Sequence, residues 1–100
     1  MPLFDDVKSA LRVTTDDIGI NQEINDLIGA ARSDLIRAGV LAEKVNSDDD
    51  ALIKRAIITY CKANFGYDNP DAERFQRSYD ILRQELSLSS DYKAVSVDAT

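Results

Sequence analysis

The chain has 100 residues, 44% of them apolar and 30% charged, with a formal charge of −6. That composition is globular rather than disordered, and its single cysteine, Cys61, rules out an intramolecular disulfide framework. The absence of histidine removes the usual general base near neutral pH and the commonest zinc ligand, and no basic patch suited to a free-standing nucleic-acid binder is visible.

A chain of this length makes one domain and buries only about two-thirds of its unfolded surface, so its stability margin is thin without partners. Low glycine and proline content, with many Leu, Ile, Ala, Lys, Arg and Glu residues, favours helix. No apolar run approaches the ~20 residues needed to span a bilayer. The opening MPLFDDVK carries an acidic pair where a secretory signal has basic residues. These features predict a protein that stays in the cytoplasm where it is made and has no membrane partner.

A short first helix is expected from Phe4 to Val13, with Asp5 or Asp6 near its start and Val7, Ala10 and Leu11 on one face. Thr14 to Asp17 reads as a stop-and-cap cluster, and Gly19 as a break before the next element. The second helix is expected to begin at Asn21 and end before Gly39, the left-handed residue after its last turn. Ile24, Leu27, Ile28, Ala31, Leu35 and Ala38 form its buried stripe. Ile36 lies off that stripe, either as an isolated exposed residue or as a subunit contact.

Val40 to Ser47 reads as an irregular, fairly apolar connection folding back over the core. The acids Asp48, Asp49 and Asp50 are consecutive and lead straight into a helix, unlike the spaced oxygens of a calcium loop, so helix capping accounts for them. The third helix, about Ala51 to Phe65, is the most apolar, as expected of one central in a bundle or covered by another subunit. Cys61 reads as a small core residue, since no neighbour in sequence would lower its pKa.

Gly66 to Pro70 then makes a turn, with Gly66 ending one helix, Asn69 capping the next and Pro70 at its first position. In the fourth helix Phe75, Tyr79, Leu82 and Leu86 form a narrow seam for antiparallel packing on the third, and Ile81 lies off it. The aromatics Phe65, Tyr67, Phe75 and Tyr79 suggest a turn-locking cluster or, alternatively, a partner patch. After Leu88 the helical pattern stops. The segment 89–100 reads as a disordered tail, or as an arm that orders on a neighbouring chain. The expected fold is thus all-α, a small bundle of about four helices over residues 1–88 with a flexible C-terminal arm.

Three stretches resemble the head–tail connector (head-completion or adaptor) proteins of tailed bacteriophages, over roughly residues 3 to 90. FDDVKSALRV with its acidic turn is similar to that family's short first helix, and NQEINDLIGAARSDLIRAG to its long second helix. The block from Asp50 to Leu88, with its KANFGYDNP turn, carries the strongest likeness. The resemblance implies a virion protein at the head–tail junction, assembled in the bacterial host cytoplasm. It implies a homo-oligomeric ring below the portal protein, extending the DNA channel and seating a tail or stopper protein. Such a subunit is not an enzyme and needs no cofactor. DNA would be only its transiting contents, and a net acidic wall would repel phosphate rather than grip it. In such a ring the candidate contact residues are Ile36, Tyr67, Ile81, Tyr92, Val95 and Val97.

Two other classes are set against this. A helix-turn-helix regulator needs clustered Arg and Lys on a recognition helix, whereas Arg74, Arg77 and Arg83 are outnumbered by Asp71, Glu73, Asp80 and Glu85. A small enzyme or carrier protein needs an attachment serine at a helix start, and Ser33 lies mid-helix. A generic protein-interaction module is a further alternative.

Overall fold

The computed structural model describes residues 3–66 and 69–94. Five helices follow one another: α1 (Leu3–Ala10), α2 (Ile18–Arg37), α3 (Ala42–Val45), α4 (Ala51–Asn64) and α5 (Ala72–Leu88). No strand occurs among the described residues, so the all-α expectation holds, with α3 a single turn beside four longer helices.

Helix α4 is the centre of the bundle and packs against α1, α2 and α5. Its Ile53, Ala56, Ile57 and Cys61 are fully buried, as the most apolar helix should be. They meet Val7 of α1, Ile24, Ala31 and Leu35 of α2, and Tyr79 and Leu86 of α5 in one core cluster. The predicted stripe of α2 is the face that is buried, with Leu27 and Ala38 half-covered at its margins. No polar or charged residue is buried among the described residues.

Three boundaries differ from expectation, at the end of α1 and at the starts of α2 and α5. Helix α1 stops at Ala10 because Arg12 takes a left-handed φ of 60°, letting the Val13 N–H reach back to the Lys8 carbonyl at 3.1 Å. Helix α2 starts at Ile18, three residues early, because Asp17 is its N-cap and accepts the Ile20 N–H at 3.1 Å. Gly19 is therefore inside the helix rather than a break. A Cβ there would lie 3.2 Å from Asp17 Oδ1, so the glycine leaves room for the capping carboxylate to fold over the helix end.

Gly39, at φ 101°, ends α2 as expected, with the Val40 N–H returning to the Leu35 carbonyl at 3.1 Å. The following connection does fold over the core through buried Val40 and Val45, but it contains the turn α3 instead of being wholly irregular. Asp50 caps α4, accepting both the Leu52 and Ile53 N–H groups at 3.0 Å. Helix α5 begins at Ala72 with Asp71 at its N-cap, not at Pro70 with Asn69 capping as expected. Asn69 still organises its approach, accepting the Asp71 N–H at 3.1 Å and donating its amide to the Lys62 carbonyl at 2.6 Å.

After Leu88 the chain runs back against the α2–α3 connection. The Leu41 N–H donates to the Tyr92 carbonyl at 2.8 Å and the Ala94 N–H to the Gly39 carbonyl at 2.6 Å. The described part of the arm is thus anchored to the domain.

Candidate functional site

Each titratable group that could suggest chemistry has a structural explanation. Cys61 is fully buried and burial pushes its thiol up to about 12, so it is not a nucleophile near neutral pH. The three consecutive acids are divided among separate tasks. Asp48 pairs with Arg32 at 2.6 Å, Asp49 donates its backbone N–H to Ser47 Oγ, and Asp50 caps α4. Among the described residues no group of acids or cysteines is placed to hold a metal ion.

What remains is surface. Ile36 is 42% exposed and Ile81 60% exposed, so both off-stripe residues point away from the core as the helical periodicity requires. Ile36 is on α2 and Ile81 on α5. Tyr92 is half-buried. Its hydroxyl donates to the Asp50 carboxylate at 3.1 Å, and Lys44 lies 5.4 Å from its ring centre. Its side chain is therefore engaged within the domain. Tyr67, Val95 and Val97 lie outside the described residues.

An open groove of about 610 Å³ lies between α4 and α5. Ile58, Phe75 and Leu82 line it, with Ile81 on its α5 side. Lys54, Arg55 and Lys62 stand along the α4 side against one carboxylate, Glu85. These α4 residues occupy the opposite side of the helix from Ile53, Ile57 and Tyr60, so the groove opens outward. Lys54 pairs with Asp6 at 2.8 Å, whereas Arg55 and Lys62 have no ion-pair partner among the described residues. Lys62 and Arg74 instead lie near the Phe75 ring, at 5.5 and 4.8 Å from its centre.

Leu52, Leu88 and Ile18 are further large apolar residues left exposed. Sequence reasoning missed all three. Leu52 sits beside the true core residue Ile53 in a helix too apolar for its faces to be told apart, and Leu88 closes a helix where the periodic pattern ends. Ile18 precedes the expected helix start at Asn21, and an apolar residue outside a helical stripe has no face to be read from.

The described residues form an all-α scaffold that leaves several large apolar side chains exposed, as a subunit that packs on other proteins does. The model of the family described as phage connector protein matches residues 3–93, and the chain belongs to that family. Its role is structural, as a connector in a phage particle, and the resemblance read from the helices and the Gly66–Pro70 turn is borne out. No curated protein and no solved structure matches the chain.

Proposed function

We propose that this protein is the subunit of a homo-oligomeric ring that binds beneath the phage portal protein, extends the DNA channel and seats a tail or stopper protein. The observation that carries this reading is the family match over residues 3–93. Two physical features support it. A small domain with exposed Ile18, Ile36, Leu52, Ile81 and Leu88 has apolar surface that neighbours can cover, which is how a marginal subunit gains stability on assembly. A net charge of −6 suits a channel wall past which DNA slides without being held.

Contacts in the ring and with its partners draw on Ile36, Ile81, Tyr67 and the segment from Tyr92 to Val97. The ring forms on the portal as a template, because a small interface is too weak to close in dilute solution. The subunit has no catalytic role and takes no cofactor. It accumulates in the host cytoplasm and ends in the virion at the head–tail junction.

The test is a phage deleted for the gene and complemented with a plasmid copy. Without the protein, electron microscopy should find DNA-filled or leaking heads and separate tails. Normal infectious virions from the uncomplemented deletion rule out the connector role. Tight, sequence-specific DNA binding by the purified protein would favour a regulator instead.

A further inference from the structure

We infer that adjacent copies join head to tail, the corner between α1 and α2 of one copy entering the outward groove between α4 and α5 of the next. This rests on the ring reading above and names the two surfaces that would make the ring. Thr14 to Gly19 is the longest unbroken exposed run among the described residues. It holds two acids, Asp16 and Asp17, no base, and the most exposed large apolar residue, Ile18, at 82%. The corner is nonetheless well defined, since Asp17 caps α2 and Asp16 pairs with Lys8 at 3.0 Å. The corner is thus fixed by its acids, while Ile18 itself points to solvent and is not part of the core cluster.

The groove is its complement in both charge and polarity. It offers Ile58, Phe75 and Leu82 to an apolar side chain, and beside them Arg55 and Lys62, cations without an ion-pair partner among the described residues. On a chain of net charge −6, this local excess of base selects an acidic occupant, and another copy of the same acidic chain supplies one. The volume of about 610 Å³ is much more than one isoleucine fills, so the carboxylates flanking Ile18 reach the rim together with it. Because corner and groove are different surfaces, the contact is heterologous, and repeating it closes a ring or extends a filament rather than stopping at a dimer.

The test uses virions assembled from a complementing copy carrying Ile18→Cys and Ile81→Cys together, treated with a short bismaleimide. The native Cys61 is fully buried and does not interfere. A ladder of covalent connector multimers is expected from the double variant, and monomer alone from each single variant. Where the double variant is not incorporated, charge reversal decides. Asp16→Lys and Arg55→Glu each lower incorporation by roughly tenfold, and their combination restores most of it. Connector present in normal amount without a ladder, capture of the residue-81 thiol by a portal or tail protein, or reversal variants that do not rescue each other would overturn the head-to-tail contact while leaving the ring standing. Infectious virions that lack the connector altogether would overturn both.

Discussion

Tyr79 of α5 donates its hydroxyl to Asp34 Oδ2 of α2 at 2.6 Å, and Arg83 Nε donates to the same oxygen at 2.8 Å. The two helices flank α4, so this cluster fastens the outer elements of the bundle to each other. The Tyr79 ring also meets Tyr60 of α4 edge-on, with centres 5.1 Å apart. The tyrosine is almost wholly covered, and Asp34 is what makes burying its hydroxyl tolerable.

Removing one member should therefore cost more than an exposed contact does. Tyr79→Phe is expected to lose about 1–2 kcal/mol and Asp34→Ala about 1–3 kcal/mol, since the latter strands a hydroxyl and weakens the hold on a guanidinium. In urea unfolding the double variant should cost clearly less than the sum of the two singles. Strict additivity would mean that the bond contributes nothing in solution.

Burial also fixes how the domain responds to alkali. It raises the ionisation of Cys61 from an ordinary value of 9.0 to about 12, and raises that of Tyr60 and Tyr79 above 10.0, with Asp34 adding to the effect on both tyrosines. A raised folded-state value means that the folded form keeps protons the unfolded chain has lost. This stability is fully present below the unfolded values and falls as pH rises through and above them. The urea midpoint should be level from pH 6 to 8 and decline above about pH 9, each fully protected group contributing at most about 1.4 kcal/mol per pH unit. Cys61→Ala should flatten the first part of that decline and leave the tyrosine part above pH 10.

The acidic run before α4 separates by task. Asp50 accepts two backbone N–H bonds and the Tyr92 hydroxyl, whereas the carboxylate of Asp49 makes no hydrogen bond or ion pair among the described residues. Asp50→Ala should lose about 1–2 kcal/mol, Asp50→Asn much less, and Asp49→Ala almost nothing in thermal unfolding. Saturable stabilisation by micromolar calcium would contradict this assignment of the acids.

Arg12 is the non-glycine residue with positive φ among the described residues, and that left-handed turn ends α1. Relief of strain at such a position is worth on the order of 1 kcal/mol. Arg12→Gly should raise the melting temperature, while Arg12→Ala, which keeps the Cβ, should not. A loss of stability with glycine would show that the arginine side chain matters more than its backbone.

The bundle is legible in the sequence because its core helices carry long periodic stripes. Ile24, Ile28, Ala31 and Leu35 on α2, and Tyr79 and Leu86 on α5, are buried where a period of 3.6 residues puts them. Helix ends are less legible, since they depend on single residues acting through geometry. Gly19 acts as space for a cap, and Arg12 adopts a conformation its type disfavours. The exposure of Ile36 and Ile81 also follows from periodicity. The groove does not, because it pairs side chains of α4 and α5 across the bundle, and no spacing within either helix encodes that meeting. The engagement of Tyr92 with Asp50 is equally non-local, at 42 positions apart, and tail composition alone suggests only a loose arm.

The last prediction separates folding from assembly using two isoleucines of opposite burial. Ile57 is fully covered at the centre of the bundle, so Ile57→Asp places an unpaired charge where water cannot reach it. That costs several kcal/mol, enough to unfold a domain of this size. Ile36 is 42% exposed, and an aspartate there can keep its hydration, so stability should change by no more than about 0.5 kcal/mol. Purified Ile36→Asp should give the wild-type helical circular dichroism and melting temperature. Supplied to the deletion phage, it should fail to join heads to tails. Full complementation by Ile36→Asp would remove this residue from the assembly surface, and a collapse of its helical signal would show that its partial burial matters to the fold.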